Sequence, residues 1–204
     1  MDAGRSSGRC EQPLDPVTSL ALDEGWIRAV LFDHAIDDWV DLGPDPIRRR
    51  HVGQIYADHV GAAYAAWKWI CDRAGTDIDT PPAEQPAPEA LALEVGVSDW
   101  TELMVSLLTV GRAQSLLFAE LASTGDDARR AFDRIGRDYA GHAALAYLEF
   151  RRGTFIDPAR AERALSTMLP ASRALLTGTE LGERFDARLV PLLESLDLRR
   201  PPPG

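Results

Sequence analysis

Five polar side chains that can take part in acid–base chemistry or hydrogen bonding fall inside otherwise apolar helical stripes. They are Asp33, His59, Gln114, Tyr139 and His142. A buried carboxylate or imidazole is costly unless it is paired, so such residues on inward faces are expected to meet. A carboxylate beside two imidazoles can orient a histidine that acts as acid or base near neutral pH. A tyrosine can donate a hydrogen bond to a developing oxyanion.

These positions define two sets of candidate site residues. The catalytic candidates are His59, His142, Asp33 and Tyr139, and the candidate substrate-binding residues are Gln114, Trp26 and Phe132. A purely structural role is the alternative for each, because buried polar groups find partners in a core without any catalytic function. Asp58 and Asp138 lie one residue off the stripes, about 100° round the helix. We expect them in supporting or surface positions, and we expect the triplet 48–50 to be a solvated first helical turn.

The elements that would position these residues are helical almost throughout, since strand patterns are weak. Predicted helices span about 17–42, 46–75, 98–123 with Ser98 as N-cap, 126–152, 158–176 and 180–197, with a short piece at 89–94. A proline-rich segment, 76–88, separates the first helix pair from the second. This layout predicts an all-α fold, a ferritin-like four-helix bundle with one long crossover and additional C-terminal helices. A heme-oxygenase-like helical fold is the alternative.

We expect one helical domain over residues 14–198, with disordered tails at 1–13 and 199–204. The chain has 204 residues and a net charge of −10, which disfavours nucleic acid and anionic membranes as partners. It lacks an apolar run of the roughly 18–20 residues that a membrane span needs. With two cysteines and no signal-peptide pattern at the N-terminus, a cytoplasmic location is expected.

Familiar catalytic and cofactor motifs are absent from the sequence. There is no P-loop, no GxGxxG after a strand, no GxSxG, no HExxH and no CxxC. A di-iron bundle needs a glutamate from each of two helices and a Glu-x-x-His from each of the other two. No Glu-x-x-His occurs in this chain. We therefore predict no metal and no other cofactor.

Four stretches, 44–64, 99–126, 128–150 and 160–178, together cover somewhat under half of the chain. In layout they resemble the helices of the A and C subunits of ring-1,2-phenylacetyl-CoA epoxidase and their relatives. The resemblance implies a ferritin-like bundle. It also implies that a metal-binding member would carry Glu-x-x-His on its second and fourth helices.

The expected ligand positions depart from that pattern. The segments 56–59 (Tyr-Ala-Asp-His) and 139–142 (Tyr-Ala-Gly-His) are similar to each other, and each aligns with a Glu-x-x-His motif of the family. In this alignment Tyr56 and Tyr139 occupy the positions where the resemblance implies glutamates, while His59 and His142 remain. The glutamate expected near 109–110 is missing as well. On the first helix the expected position falls near 26–29, and Asp33 lies one or two turns further on the same face.

Three functions follow as hypotheses. The first is a bundle without a di-iron site that acts as a non-catalytic partner or scaffold, as the C subunit of the epoxidase does. The second is a metal-independent isomerase, cyclase or hydrolase acting on an apolar acyl or polyketide-type substrate in the vacated pocket. The third is an oxygenase with one metal held by His59, His142 and Asp33. Expected partners are further copies of the chain or a related bundle subunit, and an apolar small molecule.

Overall fold

The structure is a computed structural model that describes residues 39, 41–74 and 89–198. Every regular element within these residues is an α-helix, so the predicted all-α class is confirmed. The helices are α1 (Pro46–Ala74), α2 (Glu89–Val95), α3 (Trp100–Ser123), α4 (Asp126–Arg152), α5 (Pro158–Leu175) and α6 (Leu181–Ser195). The predicted tails, the segment 76–88 and the predicted first helix up to residue 38 lie outside the described residues.

Three helices begin at an aspartate whose side chain accepts backbone N–H groups of the first turn. Asp45 caps α1 by accepting from the Arg48 amide at 2.8 Å, and Pro46 follows it. Asp157 caps α5 in the same way. The cap predicted at Ser98 is wrong by one residue. Asp99 accepts from the Glu102 amide at 2.9 Å, while the Ser98 amide and hydroxyl both donate to the Glu102 carboxylate.

Helix α3 is the centre of the described structure. It packs most extensively against α4, and it also contacts α5, α6 and α2. Between Leu103 and Phe118 every residue except Arg112 is buried. A helix that is apolar on nearly all sides belongs in the interior, which explains why the other helices are arranged around α3.

Helices α3 and α4 form a tight antiparallel hairpin through the turn predicted at Thr124–Gly125. Gly136 of α4 lies directly against the α3 backbone. A Cβ atom there would stand 3.1 Å from the Ala119 nitrogen and 3.4 Å from the Ser115 oxygen. The close approach of the two backbones therefore requires glycine at this position.

Helix α1 packs chiefly on α4, and an ion-pair network joins the start of α1 to the end of α4. Glu149 is only 3% exposed and accepts from Arg48 Nε at 2.7 Å and from Arg152 Nη1 at 2.6 Å. Arg48 also binds Asp45 and lies 4.5 Å from the centre of the Phe155 ring. The hydrogen bond to Glu149 is the main cause that raises the pKa of Arg48.

The prediction of a solvated triplet is therefore wrong for Arg48, which lies half-buried in this network. Arg49 and Arg50 are exposed, as predicted. The first turn of α1 contributes one arginine to an interior ion pair because the end of α4 presents a buried acid to it.

Candidate functional site

The structure brings together three of the catalytic candidates, His59 from α1 and Tyr139 and His142 from α4. The two imidazoles stack with ring centres 5.4 Å apart and planes 19° apart. The Tyr139 ring meets His59 edge-on at 4.7 Å and His142 at 5.8 Å. Residues three apart share a helix face, so α4 presents Tyr139 and His142 together to His59. We call these three residues the His–Tyr cluster.

The His–Tyr cluster lies in the interior. His59 is fully buried, Tyr139 is 1% exposed and His142 is 7% exposed. Trp39 packs edge-on against His59, with ring centres 5.9 Å apart. Imidazole rings in such a setting are held by aromatic surfaces on several sides, which fixes their orientation.

His142 is bonded to a carboxylate that the sequence analysis placed in a supporting or surface position. Its Nε2 lies 3.0 Å from Asp58 Oδ2, and both side chains are largely shielded from solvent. The other oxygen of Asp58 accepts from Gln54 Nε2 at 2.9 Å. Asp58 thus has the orienting role that the sequence suggested for Asp33. Asp58 lies beside the stripe rather than on it, yet it reaches α4 because the two helices pack closely there.

An aromatic row continues from the His–Tyr cluster along the core. Tyr139 stacks on Phe118 at 5.7 Å, Phe118 stacks on Phe132 at 5.9 Å, and Phe132 meets Trp69 edge-on at 5.2 Å. Phe132, a candidate for substrate binding, is fully buried in this row. The described structure therefore gives Phe132 a packing role.

Gln114, another substrate-binding candidate, forms a separate buried pair. Its Nε2 donates to Glu94 Oε2 at 3.1 Å, and both residues are completely buried. Glu94 is not among the predicted site residues, although it is the one acid within the apolar segment Ala90–Val95 that precedes α3. The remaining candidates, Trp26 and Asp33, lie outside the described residues.

A groove of about 250 Å³ runs between α1 and α4 beside the His–Tyr cluster. Half of its lining residues are alanine or glycine, four from α1 and one from α4, and Ile135 also lines it. Its polar members are Asp58, Asp138, Arg130 and Arg134. Arg134 and Asp138 pair with each other at 3.3 Å. Asp58 is the member of the Asp58–His142 pair that lines the groove.

The described donors do not fit a di-iron centre. Among the residues that the structure describes, no three His, Cys, Asp or Glu side chains are grouped so that they could hold a metal ion. The positions near 109–110 offer only Thr109 and Val110, and the Thr109 hydroxyl donates to the Val105 carbonyl at 2.8 Å. Because Asp33 is not described, the absence of iron and the single-metal alternative remain predictions.

The chain matches no protein-family model, no curated protein and no solved structure. Among the described helices, none is long and apolar enough to cross a membrane.

Proposed function

We propose that this chain is a ferritin-like helical protein that has lost the di-iron ligands and acts as a non-catalytic partner or scaffold subunit. The proposal rests chiefly on Tyr139, which is 1% exposed and packs between His59 and Phe118. On the resemblance to the epoxidase subunits, this position would hold a ligand glutamate in a metal-binding member. A phenol ring fills that space with aromatic surface instead.

Two further observations support this proposal. The aromatic row extends the packed interior from Tyr139 to Trp69, so aromatic side chains fill the core beside the position that the resemblance gives to a ligand glutamate. The hydroxyl of Thr109, at another expected ligand position, is satisfied within its own helix. Such a core stabilises a fold and leaves its outer surfaces for assembly.

Iron loading tests the first half of this proposal. The purified chain is incubated anaerobically with excess Fe(II), desalted, and analysed for bound iron and for an oxo-bridged absorption band. We expect far less than stoichiometric iron and no such band. A full di-iron complement in each chain would contradict the proposal.

Sedimentation velocity tests the second half. The genes beside that of this chain are first searched for a di-iron bundle subunit, and we expect the chain mixed with that subunit to sediment as a complex larger than either protein alone. Independent sedimentation of the two proteins at micromolar concentration would argue against a partner role.

One observation favours a second candidate function, a metal-independent acid–base enzyme. The Asp58 carboxylate is bonded to His142 and also lines the groove between α1 and α4. A carboxylate supported by an imidazole can take or give a proton at a bound molecule. On this alternative, Asp58 is the group that touches a small acyl substrate, and His142 is a positioning residue.

Turnover of p-nitrophenyl esters of short acyl chains tests this alternative. Asp58→Asn should abolish a measurable rate, whereas Asp133→Asn on the exposed face of α4 should leave it unchanged. Equal rates for both variants and the wild type, or no turnover by the wild type, would leave the scaffold role as the better explanation.

A further inference from the structure

Several arginines at helix contacts are bonded to acids. Arg48 binds Glu149, Arg173 binds Asp186 at 2.8 Å, and Arg184 binds Glu120 at 2.6 Å. Arg112 of α3 is not. Its Nε is buried and has no hydrogen-bond partner, and Arg112 forms no ion pair with any residue that the structure describes.

The charged group that faces Arg112 is another arginine, Arg188 of α6. Burial is the main cause that lowers the pKa of Arg112, and the positive charge of Arg188 lowers it further. Arg188 likewise has no acidic partner among the described residues. The two arginines are thus close enough for their charges to repel each other, and neither forms an ion pair with an acid among the described residues.

The packing of α3 on α6 explains this juxtaposition. The Glu120–Arg184 bond links the two helices near the end of α3. Arg188 lies one turn further along α6, and Arg112 lies about two turns back along α3. Residues four apart share a helix face, so both arginines are turned toward the same contact. The neighbouring acids Glu120 and Asp186 are already bound to Arg184 and Arg173.

We propose that Arg112 and Arg188 form a binding site for a phosphate group, either as the free ion or as a monoester. A phosphate monoester carries about −1.5 to −2 charges at pH 7 and three acceptor oxygens, which matches two unpaired guanidinium groups. Guanidinium also binds phosphate through two parallel hydrogen bonds. A carboxylate would neutralise only one of the two arginines. In a chain with a net charge of −10, such a pair is a local positive site on an acidic protein.

Calorimetric titration tests the proposal, with inorganic phosphate and phenyl phosphate as probes and ionic strength held constant with NaCl. The variants are Arg112→Met and Arg188→Gln. The control is Arg163→Gln, which removes an exposed, unpaired arginine from α5. We expect saturable binding to the wild type and to the control, and binding weaker by roughly tenfold or more in the two site variants. The probe that binds more tightly identifies free phosphate or a monoester as the ligand.

A thermal melt gives a second readout. Without phosphate, Arg112→Met should melt at a higher temperature than the wild type, because it removes a partly buried charge that lacks a partner. Phosphate also stabilises proteins in general by exclusion from their surface, and that effect would raise all melting temperatures equally. Equal gains for the wild type and both site variants, or no saturable binding of either probe, would overturn the proposal.

Discussion

Glu149 is a nearly buried carboxylate on which two arginines converge. Removing one partner of a buried ion pair leaves an uncompensated charge and costs about 3 kcal/mol or more. Glu149→Ala should therefore lower the free energy of unfolding by about 3 kcal/mol. Asp133, on the exposed face of the same helix, pairs with Arg137 at 2.7 Å in solvent. Asp133→Ala should cost less than about 0.5 kcal/mol.

Urea denaturation of the two variants measures this difference. If both variants lost the same small amount of stability, Arg48 would be satisfied by solvent or by Asp45 alone, and the Glu149 network would not hold α1 to α4.

At the residue scale, sequence periodicity identified which positions face inward but could not identify every pairing. The meeting of His59, Tyr139 and His142 was predicted because all three lie on apolar stripes. The bond between Asp58 and His142 and the ion pairs of Glu149 were not predicted, because a helical stripe gives only a direction around one helix. It does not give the height or distance of the neighbouring helix, and these decide whether an off-stripe carboxylate reaches a partner.

At the element scale, the contact between α3 and α4 depends on Gly136. Glycine in a helix interior lowers stability by about 1 kcal/mol relative to alanine. Because a Cβ atom at Gly141 would meet open space, Gly141→Ala should stabilise the protein by about 1 kcal/mol. Gly136→Ala should instead destabilise it by about 1–3 kcal/mol, because the new methyl group meets the α3 backbone.

Thermal or chemical unfolding of both glycine variants provides the measurement. Similar stabilisation by both substitutions would mean that the two helices separate slightly at no cost, and that their close approach is not required.

The N-cap of α1 gives a pH-dependent prediction. The hydrogen bond from the Arg48 amide is the main cause that lowers the pKa of Asp45. A lowered pKa means that the stabilisation is present above the unfolded-state value near 3.9 and is lost as the pH falls through the folded-state value. Asp45→Asn keeps a capping side chain that does not titrate.

We therefore compare the free energy of unfolding of the wild type with that of Asp45→Asn. The difference should be constant between about pH 5 and 7, and the wild type should lose stability relative to the variant below about pH 4. Melting temperatures across this range measure it. A difference that stayed constant down to pH 3 would show that the Asp45 charge contributes nothing through its cap.

The spans of the described helices were largely predictable, because Pro46, Gly153 and Pro158 mark helix ends by backbone chemistry that acts locally. The N-cap of α3 was placed one residue early. Ser98 and Asp99 are both good caps, but it is Asp99 that accepts the Glu102 amide, whereas Ser98 donates to the Glu102 carboxylate. Whether the predicted first helix completes a ferritin-like bundle depends on residues outside the described part.

At the scale of the whole molecule, α3 should be the most stable element. It contacts four other helices, whereas α1 packs chiefly on α4. Amide groups exchange through local or global opening, and the best-packed segments open last. Hydrogen exchange followed by mass spectrometry should therefore show the slowest exchange in α3 between Leu103 and Phe118. Slower exchange in α1 than in α3 would contradict this picture of the core.

The packing of α1 on α4 also has a consequence for synthesis on the ribosome. Chains emerge at roughly 5–20 residues per second, and nearly eighty residues separate the end of α1 at Ala74 from the end of α4 at Arg152. The apolar face of α1, which includes His59, therefore lacks its partner helix for on the order of ten seconds during synthesis. The α3–α4 hairpin needs no such delay, because its two halves are adjacent in the chain. Among the described helices, α1 is accordingly the one whose apolar face stays uncovered longest during translation, which exposes it to aggregation before α4 is made.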